Sequence, residues 1–232
     1  MKERAIIMCG ESVRAILAGQ QTATRRVIIP QPPPHYHWAK KAQLFISRSG
    51  LLAIKRHCRY GQPGDRLWVR ETFILESTRE YNEYANIPAD RPTKRFEDIE
   101  DGEYYIIPHY RATEPEPHIV PLEREDKFDD STRWSSPIFM QKWAARIWLE
   151  IVNIRIERLQ ELDLEDIYKE GFLIASDLAA EYGEERIRLF AYEWFQKRWD
   201  SLNAKRGFGW DKNPYVWVIE FVKIEGNRNG KK

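Results

Sequence analysis

The sequence predicts an α+β or small β-barrel fold, and three observations predict it. Short apolar, strand-like runs recur from Ala5-Ile6-Ile7-Met8 to Tyr215-Val216-Trp217-Val218-Ile219-Glu220-Phe221. Only a few helical patterns interrupt them, and the longest is aromatic and stands near the end of the chain. Two proline- and charge-rich stretches, about 30–60 and 76–136, read as loop insertions into that core.

The elements follow in order. After the first strand, Glu11 to Ala18 reads as a short helix, with Val13, Ile16 and Leu17 on one face and Gly19 as its stop. Gln20-Gln21-Thr22-Ala23-Thr24-Arg25-Arg26 is a polar turn leading into an apolar strand, Val27-Ile28-Ile29, which Pro30 and Pro32-Pro33-Pro34 end. Gly61-Gln62-Pro63-Gly64-Asp65 is a turn by composition and launches one strand from Arg66 to Phe73. Residues 76–103 read as a surface excursion, Tyr104–Ile107 as a strand, and 112–133 as acidic loop. Arg146 to Leu159 is a long strand pattern whose parity slips near Val152-Asn153, as at a bulge or turn. Asp163, with Asp166 three residues on and Leu162 and Ile167 placed as a hydrophobic staple, starts a helix that Gly171 stops. Ile187, Phe190, Ala191, Trp194, Phe195, Trp199 and Leu202 mark the long helix, and their spacing assigns Trp194 and Trp199 to the core. Residues 226–232 form a flexible tail, so the expectation is one domain over 1–232 with two insertions.

The 232 residues are 42% apolar and 31% charged, with a mean hydropathy of −0.64. No apolar run approaches the roughly 18 residues of a membrane span, and the apolar stretch near Met1 is too short for a signal peptide. A cytoplasmic protein is expected, with no membrane partner. Cys9 and Cys58 suit a reducing compartment. His35, His37, His57 and Cys58 lack the tight ligand pairs of a structural metal site, so no metal and no cofactor are expected.

Charge is strongly segregated. Residues 1–70 hold 13 Lys/Arg and 3 Asp/Glu, whereas residues 71–130 hold 7 and 17. A basic third of this kind suits a polyanion, and the acidic segment 71–130 suits a protein partner, unless the two neutralise each other within the fold.

No phosphate-binding, dinucleotide, nucleophile-elbow or zinc-protease motif occurs. What remains is a set of polar residues at element ends: Gln21 to Arg26, Gly64-Asp65-Arg66 and Glu170. Arg25-Arg26 beside Thr22 and Thr24 reads equally as a phosphate-contacting cluster or a solvated surface pair. Lys40-Lys41, Lys55-Arg56 and Arg59 extend the positive charge, and Trp68 or Tyr60 offers a stacking face.

Ile16-Leu17-Ala18-Gly19-Gln20-Gln21-Thr22-Ala23-Thr24-Arg25-Arg26 resembles the signature of ASCH domains, of the PUA-like superfamily, whose pattern there is roughly G-x-K-x-x-[E/T]-x-R. Gly64-Asp65-Arg66-Leu67-Trp68-Val69, Glu170-Gly171 and the closing strand resemble the family's later elements. The likeness covers about 5–29, 61–73 and 143–222, and is nearest to phage and prophage ASCH-like proteins labelled morphogenesis proteins. It implies a PUA-like small β-barrel with helices around it and large loop insertions. It also implies a cleft that binds RNA, DNA or a modified nucleobase. In family members that are amidohydrolases on acetylated cytidine, the catalytic lysine, threonine and glutamate fall on Gln21, Thr24 and Glu170.

Gln21 breaks that set, because an amide has no titratable group with which to take the threonine proton. The expected function is therefore nucleic-acid or nucleobase binding, through Gln21, Thr22, Thr24, Arg25, Arg26, Arg66, Trp68, Lys40 and Lys41. A hydrolase using Thr24 and Glu170, on acylated cytidine or as a ribonuclease, is one alternative. A phage protein-interaction adaptor is the other.

Overall fold

The computed structural model describes residues 1–50, 53–54, 57–77, 91–98, 102–116, 133–174 and 176–224. In chain order the elements begin β1 (Glu3–Ile7), α1 (Gly10–Leu17), β2 (Ala23–Val27), β3 (Tyr36–Ala39), β4 (Leu44–Ser47), β5 (Ala53–Ile54) and β6 (Arg66–Arg70). They continue with β7 (Phe73–Ser77), β8 (Lys94–Asp98), β9 (Gly102–Tyr110), β10 (Trp148–Arg158), α2 (Leu164–Lys169), α3 (Ser176–Asn203) and β11 (Tyr215–Ile224). The class is α+β.

The chain divides into two compact units. One comprises Met1–Lys2, Ala18–Asp65 and Glu150–Val222, and the other Glu3–Leu17, Arg66–Leu149 and Lys223–Lys232.

In the first unit β10, β11 and β2 lie side by side, with β2 at the edge and antiparallel to β11. Val216 faces Val27 and Val218 faces Arg25 in that pairing, so these four share one face of the sheet. That face is covered by α2 and α3: Leu162, Ile167, Phe172, Ala191, Phe195 and Trp199 pack with Val216 and Val218 in one buried cluster. Burial of each large apolar side chain contributes roughly 1.5–3 kcal/mol, which is what holds two helices on a three-strand patch. Asp163 caps α2, accepting the Asp166 amide at 2.8 Å, and Gly171 ends it at φ 97°, a conformation only glycine adopts without strain. Leu162 and Ile167 are both buried, as a staple requires. Within α3, Gly183 interrupts the helical backbone at φ 68°. Phe190 and Leu202 lie at the margin of its apolar stripe and are 37% and 51% exposed, so the stripe is narrower than the spacing predicts.

Two expectations in this unit change. The polar segment from Ala23 is not a turn before a strand: it is β2 itself, since pairing with β11 satisfies its backbone. The 30–60 stretch is not loop throughout, because β3, β4 and β5 form an antiparallel sheet in that order. Phe45 of β4 is fully buried against Trp38 and edge-on to Tyr215, with ring centroids 4.9 Å apart in both pairs. β10 also runs through Val152-Asn153 without a turn, and these two adjacent exposed residues mark the slip in its parity.

In the second unit β1 is parallel to β6, with Ile6 beside Val69, and α1 buries Val13 and Ile16. A separate sheet has the order β7-β9-β8. The strand expected from Arg66 to Phe73 is two strands. Glu71 divides them: it is buried, and Arg146 holds both its oxygens, Nε to Oε1 at 2.9 Å and Nη2 to Oε2 at 2.8 Å. A charged pair of this sort is stable when buried only if its geometry satisfies both partners. Phe73 then joins Tyr110, Met140 and Ala144 in a local core. β8 lies where a surface excursion was expected, its charged residues hiding the strand pattern. Residues 78–90, 99–101 and 117–132 of the expected excursion and acidic loop lie outside the described residues.

Candidate functional site

Gln21 leads into β2 and is 3% exposed, with its Nε2 donating to the Ala23 carbonyl at 2.9 Å. Its Oε1 is buried without a partner among the described residues. A glutamine so enclosed presents no edge to a base, which removes the expected base-reading role in this conformation. The Thr22 side chain is exposed, while its backbone joins two elements: its amide donates to the Lys169 carbonyl at 2.9 Å and its carbonyl accepts from Phe221 at 2.8 Å.

Side chains alternate along a strand, so Arg25 and its neighbours Thr24 and Arg26 project from opposite faces of β2. Arg25 turns inward. Its side chain is 1% exposed and meets three carboxylates: Glu157 at 2.7 Å, Asp166 at 2.7 Å and Glu170 at 3.3 Å. Its guanidinium also lies 5.8 Å from the Phe195 ring centroid. Arg155 adds a second cation, paired with Glu157, Asp166 and Glu220. Arg25 is thus not a surface cation, and its expected phosphate contact gives way to an internal ion network.

The protonation of this network follows from its geometry. Burial opposes the charge on Arg25, but Glu170, Glu157 and Asp166 together raise its proton affinity. Glu170 goes the other way. Burial lifts its pKa above the ordinary carboxyl value, and Arg25 and Arg198 only partly offset it. Asp166 is also desolvated, yet Arg25 and Arg155 hold it below the ordinary value. Glu170 is therefore the first of these two to take a proton on acidification.

Thr24 is 6% exposed and lies opposite Ile219 of β11. Arg25 takes Glu170 on the other face of β2, so the structure brings Arg25 and Glu170 together and does not set Thr24 beside Glu170 on one face. Arg26 is half-buried, 5.9 Å from the centroid of the half-buried Tyr60 ring, and exposed Arg59 is 5.6 Å from the same centroid. Lys40 and Lys41 are exposed between β3 and β4, where Gln43 Nε2 donates to the Lys40 carbonyl at 2.7 Å. Lys55 and Arg56 lie outside the described residues.

Arg66 and Trp68 belong to the second unit. Arg66 is half-buried. Trp68 is 8% exposed in a cluster with Ala145 and Trp148, and the Arg70 guanidinium covers its ring at 4.7 Å. It is a core residue rather than an open stacking face.

Sequence reasoning missed Glu157 and Arg155 altogether and read Asp166 only as part of a helix start. A signal was present: Arg155 and Glu157 are two residues apart in a strand, hence on one face, alternating with the apolar Ile154 and Ile156. Among the described residues, no group of His, Cys, Asp and Glu is arranged to hold a metal ion, and no helix is long and apolar enough to cross a membrane.

No family model matches the chain, and no curated protein matches it. Among solved structures, it is similar to a crystal structure of an ASCH domain from Lactobacillus crispatus JV V101, at 10% sequence identity and a TM-score of 0.35, over 97% of this chain and 81% of that one.

Proposed function

We propose that this chain is an ASCH-like, PUA-like barrel protein that binds nucleic acid or a modified nucleobase through the outward side of β2 in the first unit. One observation carries the reading: two guanidiniums, Arg26 and Arg59, lie against the same tyrosine ring, Tyr60. Such a group combines the cations that contact phosphates with an aromatic surface beside which a base stacks. Thr22, Lys40 and Lys41 are exposed in the same unit. Each arginine–tyrosine contact stabilises the group by about 0.5–1 kcal/mol at an exposed site, enough to orient it before a ligand arrives.

The hydrolase reading is less well supported. A Thr24–Glu170 hydrolase needs both groups on one substrate atom, whereas Glu170 is engaged by Arg25 on the face of β2 away from Thr24. Of the acidic segment, Glu71 is held by Arg146, and Glu76 and Glu114 by His109, whereas Glu116 is exposed and most of the other carboxylates lie outside the described residues.

The test is titration of fluorescent single-stranded RNA, single-stranded DNA and cytidine against the wild type and Tyr60→Ala. Binding of at least one ligand, weakened by about 1–3 kcal/mol in the variant, is the expected loss of one stacked base. Equal affinity of the two proteins would assign the ligand elsewhere.

A further inference from the structure

His109 lies near the end of β9, directly across from Ile74 of β7, while Glu76 lies across from Ile107. His109 and Glu76 are therefore diagonal neighbours on one face of the sheet. The imidazole Nε2 is 2.7 Å from Glu76 Oε2. Nδ1 has two neighbours at once: Arg91 Nη1 at 2.8 Å and Glu114 Oε2 at 2.8 Å. Arg91 pairs with Glu114 as well.

The two contacts at Nδ1 exclude each other as hydrogen bonds. A guanidinium only donates, a carboxylate only accepts, and an imidazole nitrogen carries either a proton or a free lone pair. Glu114 needs a proton on Nδ1. Arg91 needs Nδ1 bare. Glu76 takes the Nε2 proton in both states.

We propose that His109 is a proton-operated clasp: charged, it ties the turn carrying Glu114 to β7 and β9; neutral, it releases Glu114 and accepts from Arg91. The turn is built to be held this way, because the Thr113 and Glu114 amides both donate to the Tyr110 carbonyl, at 3.1 and 2.9 Å, and fold it back over the strand end. The charged groups facing the imidazole are Glu76 from β7, Glu114 from the turn after β9 and Arg91 from the segment before β8. Burial disfavours the imidazolium, and Arg91 adds to that, but the two glutamates prevail and raise the pKa above 6.5. A raised histidine contributes stability that is full below the unfolded value, about 6.5, and is lost as pH rises through the folded value. The clasp loosens in that window.

The experiment is a nitrogen-15 NMR titration of the His109 ring in the full chain, together with hydrogen exchange at the Thr113 and Glu114 amides. At low pH both ring nitrogens should be protonated, and at high pH the proton should remain on Nε2. Protection of the two amides, corrected for intrinsic exchange, should fall across the transition. Glu114→Gln should lower the His109 pKa and abolish the pH dependence of protection, and Arg91→Gln should raise the pKa. A proton on Nδ1 at high pH, or wild-type protection that does not change across the titration, overturns the proposal.

Discussion

Arg25 and Glu170 are 145 residues apart in the chain and 3.3 Å apart in the structure, guanidinium Nη1 to carboxylate Oε1. That contact, with Glu157 and Asp166 on the same guanidinium, makes the arginine pair on β2 two residues with different tasks. Arg25 neutralises the interior, and Arg26 lies on the opposite face beside Tyr60.

Removal of Arg25 should therefore be costly. Arg25→Met leaves three buried carboxylates without their shared cation, and breaking a buried pair on one side typically costs about 3–5 kcal/mol. Arg25→Lys should recover only part of this, because an ammonium cannot reproduce the guanidinium fork. Arg26→Ala should cost less than about 1 kcal/mol. Urea denaturation of the three variants measures the difference, and a similar small loss for Arg25 and Arg26 would contradict the network.

The same network sets the pH dependence. Glu170 has a folded pKa above 4.5, so the folded chain holds that proton more tightly than the unfolded one. Its contribution is full below about pH 4.5 and is lost as pH rises through the folded value. Asp166, held below 3.8, has the opposite sign: its contribution is present above that value and is lost as pH falls through the folded pKa. Urea midpoints measured from acid to neutral pH should thus contain a descending limb that Glu170→Gln flattens and an acid limb that it leaves in place. A Glu170→Gln profile parallel to the wild type throughout would contradict these signs.

Much of this architecture was legible because its cues are local. Asp163, Asp166 and Gly171 fix α2 by capping and chain reversal, and the continuous apolar run from Tyr215 to Ile219 fixes β11. The site was harder. Whether Arg25 faces inward depends on Glu157 and Glu170, 132 and 145 residues away, and nothing near Arg25 in the chain encodes them. Trp68 shares its strand parity with Arg66 and Arg70, as an outward residue would, yet Ala145 and Trp148 bury it. Proline-rich and charged composition concealed β3 to β5 and β8, whose backbone pairing tolerates polar side chains on an exposed face.

Catalysis provides a separate check. The wild type should release no cytidine from acetylcytidine, since Gln21 has no titratable group and Thr24 points away from the Arg25–Glu170 pair. Turnover by the wild type that disappears in Thr24→Ala would restore the hydrolase reading.

The most direct test of the binding account is the salt dependence of oligonucleotide affinity. Each phosphate neutralised on a single strand adds about 0.7 to the slope of log affinity against log salt. The wild type should bind a single-stranded oligonucleotide with a steep slope, and the Arg26→Ala, Arg59→Ala double variant should be shallower by up to about 1.4. No binding at low salt, or a slope that the double substitution leaves unchanged, would contradict the assignment of Arg26, Arg59 and Tyr60 as the nucleic-acid contact.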